Sequence, residues 1–410
     1  MQQVIVERRA TIPFLQVLAL KDFGLMWLAQ IVSSMGDQFT YVAMALLVYQ
    51  TTGSALQVGV MLAITTIPNI LLGLIAGVFV DRWDRRRTMI VCDVTRAIVI
   101  GSIPWLIHLH LWMAYLAIFV STAANRFLGS ARVASIPHVV PKEILVSANA
   151  IDHTGVQCGA TAGYAFAGIV VGLYGATVAF LFDASTFLFS ALMLSLIVIP
   201  YVPKPQGSTK DAAQIKNDLL DGLRYIYHNN ALRAAMGFAI WGPVGSGLLN
   251  ALLVVFALRV LKTDDAGYGL IEAGCAIGII VSGLVIGQIG NHLKRGMMMT
   301  YGCIGIGAGA VLLSFSPSLG IAMLAMTFLG IMNGVLLVGI RTLLQENTQS
   351  EYRGRVSGAW NTAIASGGIV GMSLAGLADI FPVQAMLIMA GLVQIVAGVA
   401  LARLSSLRNA

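Results

Sequence analysis

Few side chains in this sequence could do chemistry, and most of them interrupt apolar runs. Asp37, in Ser33-Ser-Met-Gly-Asp-Gln-Phe39, lies midway along one such run. An ionised carboxylate removed from water costs several kcal/mol, so it must line a wet cavity, pair with a cation or hold a proton. Burial disfavours the charge, which suits a group that takes up and gives back H⁺ in each cycle. Glu272, in Gly269-Leu-Ile-Glu-Ala-Gly274, offers a second proton or cation site. Arg126 offers a basic charge that can partner a carboxylate, whereas Arg132 nears a helix end, where long stems reach for the interface. Asp93 and Arg96 are spaced i, i+3 and can pair locally, which reads as structure. Asp152, Asp183 and Asp379 fall near helix ends and read as caps or ion pairs. Phe39, Tyr41, Met44, Tyr164, Trp241 and Trp360 could line an adaptable apolar pocket.

Other chemistries have no support in the residue pattern. Six histidines form no His-x-x-x-His pair, and no Gly-x-x-x-x-Gly-Lys-Ser/Thr is present, so metal- and ATP-driven catalysis are not expected. Cys92, Cys158, Cys275 and Cys303 sit in apolar runs without Cys-x-x-Cys spacing and read as small core residues. No cofactor, no metal and no enzymatic activity are expected. The first residues, with Arg8, Arg9 and Pro13, do not read as a removable signal peptide.

The elements that must hold these residues follow from composition. The chain has 410 residues, 58% hydrophobic and 10% charged, with a mean hydropathy of +0.84. A soluble domain carries roughly 25% charged residues, so soluble enzymes, nucleic-acid binders and disordered chains are excluded. A bilayer core takes about 20 apolar residues per helix. That ruler gives twelve spans, at 23–50, 55–80, 88–108, 112–132, 147–172, 177–200, 232–260, 266–290, 296–315, 319–342, 356–380 and 383–403. The runs are too long and too rich in Gly for the short strands of a membrane barrel.

Charge then orients the spans. With the N-terminus inside, inner segments collect eighteen Lys and Arg residues, while the outer loops hold Arg259 and Lys262. Both termini are therefore expected in the cytoplasm of a multi-pass protein of the cell (plasma or inner) membrane. The net charge of +7 is thus a topology signal. The long polar stretch 201–230 links the sixth and seventh spans, dividing the chain into bundles at 1–200 and 231–410. Within it Ile215, Leu219, Leu223 and Ile226 recur at helical spacing, as in a helix lying on the membrane surface.

The two halves also echo each other at an offset of about 210 residues. Gly77-Val-Phe-Val-Asp81-Arg-Trp-Asp-Arg85 follows the second span, and Gly287-Gln-Ile-Gly-Asn291-His-Leu-Lys-Arg295 follows the eighth. Gly159-x-x-x-Gly163 with Gly168 in the fifth span corresponds to Gly367-x-x-x-Gly371 with Gly376 in the eleventh. Such small-residue steps let helix backbones approach closely. Parallel six-helix repeats place a cavity between halves that can rock around it.

The segment Gly77-x-x-x-Asp81-Arg82-x-x-Arg85-Arg86 resembles the loop signature of the major facilitator superfamily and stands between the second and third spans, as in that family. Gly36-Asp37, Thr52-Gly53-Ser54-Ala55, Ala148-Asn149-Ala150 and Arg353-Gly354-Arg355-Val356 are similar to its drug- and siderophore-exporting branch, that of bacterial macrolide efflux proteins and the enterobactin exporter. Asp84 replaces the usual loop Gly, and Tyr164 the usual Pro of the fifth-span antiporter signature. The resemblance implies an all-α fold of two six-helix bundles. It also implies a latch at Gly77, Asp81 and Arg85, and packing with gating at Gly159, Gly163 and Gly168. The function expected is proton-coupled efflux of small hydrophobic or amphiphilic compounds, with Asp37 coupling protons and Glu272 and Arg126 as further candidates. A siderophore or metabolite carrier is the alternative, and a non-transporting sensor or enzyme the remote one. The expected partners are a small-molecule substrate, protons and the bilayer, with no nucleic acid; a monomer is expected.

Overall fold

The computed structural model describes residues 14–72, 79–80, 83–199, 212–289, 294–349 and 352–403. No strand occurs among them. A chain in lipid must satisfy its backbone polar groups within each segment, and helices do so. In order the helices are α1 (Phe14–Leu18), α2 (Lys21–Thr52), α3 (Ala55–Leu72), α4 (Arg85–Leu109), α5 (Leu111–Val139) and α6 (Leu145–Ser195). They continue with α7 (Ala212–His228), α8 (Asn230–Val255), α9 (Asp265–Ile289), α10 (Arg295–Ser314), α11 (Leu319–Glu346), α12 (Arg353–Leu374) and α13 (Val383–Arg403). A π turn, Phe256–Val260, prolongs α8, and a 3₁₀ turn, Ala375–Asp379, prolongs α12.

Eleven of the described helices are long and apolar enough to cross a membrane. The twelfth crossing is the first limb of α6. The fifth and sixth spans are the two limbs of α6, which meet at a break at Gly175, whose φ of 81° no side chain would tolerate well. Polar residues near the start of this limb, among them Asp152 and His153, keep its hydropathy low. Pro68, Pro104, Pro137 and Pro243 lie inside α3, α4, α5 and α8; each removes a helical N–H and favours a bend.

Each half is a chain of packed helices. In the first, α2 lies on both limbs of α6, while α4 lies on α5 and on the second limb. In the second, α8 lies on α12 and α13, and α10 on α11 and α13. We call the side where α2 begins and α13 ends the near face, and the opposite side the far face. One apolar cluster runs through both halves, from Met44 and Val58 to Phe256 and Leu387. A second, around Val17, Phe23, Leu128 and Ile136, belongs to the first half alone.

The 201–230 stretch divides at residue 212, with residues before it outside the described set. From Ala212 it is helical. Ile226 packs with Leu232 and Val356, and Tyr225 stacks on Tyr352 at 4.2 Å, fixing α7 to the start of α12. Of the apolar stripe read from the sequence, Leu223 is exposed whereas Ile226 is buried against the bundle; the neighbouring Leu220 is exposed as well.

Candidate functional site

The middle of the first half holds a cluster of ionisable side chains. Gly36 backs directly onto Asp183 and Thr186, leaving no room for a Cβ, so α2 and the second limb of α6 meet there. The next residue, Asp37, pairs with the Arg96 guanidinium of α4. Arg96 also donates to Ser33 Oγ at 3.2 Å and stands 3.5 Å from Asp93. Phe187 presents its ring 3.8 Å from the Arg96 guanidinium carbon, a favourable cation–π arrangement. Ser190 donates to Asp93 at 2.5 Å. Asp183 accepts from Thr40 at 2.5 Å and from Thr186 at 3.2 Å. Asp93, Arg96 and Asp183 are buried, whereas the Asp37 side chain retains 31% exposure. Asp37 is therefore the member that solvent reaches.

Sequence reading favoured Arg126 as the partner of a carboxylate and gave Arg96 a structural role. The geometry redistributes these parts. Arg96 holds Asp37, while Arg126 is exposed and acts on Asp37 through space without an ion pair within 4 Å. An arginine at mid-depth in an apolar helix was itself the missed signal, since Asp93 at i−3 seemed to account for it. Arg132 does not reach for the interface. It forms a 2.5 Å pair with Asp152, the two side chains being 13% and 9% exposed. Asp183, expected near a helix end, is fully buried within the second limb.

The second half carries an uncharged counterpart. Gln394 of α13 donates to Ser246 of α8 at 2.5 Å, and Cys303 of α10 donates to Gln394. Gly245, the residue before Ser246, faces Gln394 as Gly36 faces Thr186. The repeat thus reproduces the position of the polar centre but not its charge.

Glu272 stands apart from the Asp37 cluster, on α9. Tyr268, one turn before it, donates to its carboxylate at 3.1 Å. No basic group lies within 4 Å of it among the described residues. Gly269, three residues before it on the same face of α9, abuts Gly168 of α6, and in the first half the rings of Tyr41 of α2 and Tyr164 of α6 meet edge-on at 5.8 Å. Glu272 therefore faces the first half across the boundary between the two. Of the other aromatic and Met residues singled out, Phe39, Met44 and Trp360 are core. Trp241 lines a groove of about 870 Å³ between α8 and α13, away from both acidic centres.

The glycine ladder divides its work. Gly159 and Gly163 abut the α2 backbone at Ile31 and Met35, within one half. Gly168 abuts Gly269 of α9 with no space for a Cβ on either, joining the two halves. Its repeat behaves alike: Gly367 and Gly371 abut α8, and Gly376 meets Leu56 of α3 across the boundary. Gln50 adds a 2.6 Å hydrogen bond to Asp265. The far face is thereby closed. Nearer the opposite side, Arg341 of α11 donates to His153 of α6 at 2.7 Å.

Of the loop residues, Gly77 and Asp81 lie outside the described set. Arg85 begins α4 and lies 3.1 Å from the His138 ring nitrogens, in its own half. Asp84 caps α4, accepting from the Arg87 N–H at 2.7 Å. Arg86 binds the carbonyls of Leu194 and Ser195 at the end of α6, where the helix dipole favours a cation.

Two repeated membrane bundles, closed on one face and with ionisable groups at mid-depth, define a multi-pass membrane transporter. The chain belongs to the Major Facilitator Superfamily, which it matches over residues 26–372. It is 24% identical to the multidrug efflux pump Tap of Mycolicibacterium fortuitum, over 93% of this chain and 95% of that protein. It is 22% identical to macrolide efflux protein A of Streptococcus pyogenes (87% and 88%). It is 24% identical to the enterobactin exporter EntS of Salmonella choleraesuis (86% and 84%). Among solved structures, a POT family transporter in complex with 5-aminolevulinic acid superposes with a TM-score of 0.72 at 11% identity, over 93% of this chain and 95% of that one. That likeness is one of fold.

Proposed function

We propose that this protein is a proton-coupled exporter of small hydrophobic or amphiphilic compounds, macrolide-like drugs among them, working by alternating access. The observation that carries the reading is the Asp37 cluster. Asp37 and Asp93 pair with one buried guanidinium, a third carboxylate, Asp183, is buried against the neighbouring Gly36, and Asp37 is the one of the three that keeps exposure. If all were ionised the cluster would hold two uncompensated negative charges in a medium that opposes them. A proton exchanged at Asp37, with Arg126 biasing the site from the open side, halves that excess. Glu272 is the second such site, at the boundary between halves.

The halves 1–200 and 231–410 rock about the glycine seams, joined by the 201–230 linker. Gly77, Asp81 and Arg85 form the latch of the opposite state, in which the near face closes. Both termini are cytoplasmic, the membrane is the cell membrane, and the protein works as a monomer with protons and substrate as its partners. The efflux relatives support export, and the spread of their names keeps a siderophore or metabolite as the second reading.

The test is substrate-dependent H⁺ movement in proteoliposomes. Asp37→Asn is expected to reduce coupled transport at least tenfold while substrate binding survives. Coupling that persists in this variant removes Asp37 from the role. Transport indifferent to an imposed pH gradient favours the second reading, and a compound-susceptibility panel on cells with and without the gene separates the substrate classes.

A further inference from the structure

The Thr52-Gly53-Ser54-Ala55 turn is part of no proton or latch assignment, yet it holds the densest polar contact between the halves. Gly53 closes α2 with φ of 64°, its N–H bonding Tyr49 at 2.7 Å. The chain then turns straight into α3, whose first N–H groups lack intrahelical acceptors. For the first two of them the acceptor comes from the other half. Asp379, at the end of the turn that prolongs α12, accepts from the Ala55 N–H at 2.8 Å and from Ser54 Oγ at 2.7 Å; the Leu56 N–H lies 3.4 Å away. The Ser54 hydroxyl, the natural cap, is 3.4 Å from the Gln57 N–H and points its proton at Asp379. The repeat-related helix α9 differs: its own Asp264 accepts from the Gly267 N–H at 2.9 Å. α9 is capped within its own half, whereas α3 adds to its weak Ser54 cap a stronger one from the other half.

We infer that Asp379 is a positioning residue of the transport cycle, capping α3 only while the far face is closed and so setting the balance between far-face-closed and far-face-open states. An anion at a helix N-terminus is favoured both by the orphan N–H groups and by the helix dipole. Separating the halves strips α3 of that acceptor, which a cap within the first half would not allow. The Gly376–Leu56 contact one turn earlier holds the two helix ends in register for it.

The inference rests on the alternating-access reading, and one experiment separates their failures. Spin labels at Thr51 and Ala385 report the far face, and labels at Glu143 and Gln345 the near face, in lipid nanodiscs with Cys158→Ser as background. Asp379→Ala is expected to raise the far-face open-to-closed ratio about fivefold, the equivalent of one typical cap, with the near-face distance shortening in step. Ser54→Ala, which removes one contact to Asp379 and the weak bond from the Gln57 N–H, is expected to shift it about twofold in the same direction. If two populations exist but neither variant changes their ratio, Asp379 is merely structural, even where thermal stability falls. A single invariant distance at both faces overturns alternating access and this inference with it. Should Asp379→Ala fail to fold, an unchanged ratio in Ser54→Ala overturns the inference alone.

Discussion

Arg96 organises the polar centre of the first half, and its removal should cost more than that of any other cation in the chain. Arg96→Leu strands Asp37 and Asp93 without their counter-charge, and breaking a buried pair of this kind costs about 3–5 kcal/mol. Arg126→Ala, at an exposed position with no ion pair among the described residues, should change stability by about 0.5 kcal/mol or less. Thermal unfolding of both variants in detergent checks the contrast, and equal losses would remove Arg96 from its central place. Asp37 was legible in the sequence because hydropathy alone exposes a carboxylate in an apolar run. Its partner was not. Arg96 lies 59 residues away on another helix, and its neighbour Asp93 supplied a sufficient local explanation. Glu272 was legible in the same way as Asp37, while its tyrosine surroundings depend on three separate helices.

At the scale of elements, the glycines of α6 sort by what they touch. Gly163→Val drives a side chain into the Met35 carbonyl and Gln38 of α2, and overpacking a seam within one bundle should destabilise the fold by about 1–3 kcal/mol. Gly168→Val instead meets Gly269 of the other half. Its expected effect is to keep the far face from closing, with transport lost and the unfolding temperature nearly unchanged. Transport assays beside thermal unfolding distinguish the two, and matching behaviour would argue against a division of labour. The spacing of these glycines, and its repetition in α12, could be read directly from the sequence. Which helix each would meet could not, because Gly-x-x-x-Gly promises close approach without naming a partner. Span lengths were legible to within a turn at most ends. The break at Gly175 falls between the spans 147–172 and 177–200 as read from the sequence; the extension of α5 to Val139 was not legible, since hydropathy fades before a helix does.

For the whole molecule, the charge asymmetry predicts a sidedness that can be measured. A cysteine placed at Lys262 should react with a membrane-impermeant reagent in intact cells, and one placed at Gln349 only after permeabilisation. The reverse pattern would invert the assigned topology. The two-bundle layout was legible because length, hydropathy and the repeat agree. The closed far face was not, because closure depends on contacts such as Gln50–Asp265, 215 residues apart. The unequal polar centres carry one more consequence. The first half is built round Asp37, Asp93, Asp183 and Arg96, and the second round Ser246, Gln394 and Cys303. A transmembrane voltage does work on displaced charge, about 2.3 kcal/mol per elementary charge carried through 100 mV, and very little on neutral dipoles. The electric field of an energised membrane therefore has a handle at the centre of one bundle and none at the centre of the other.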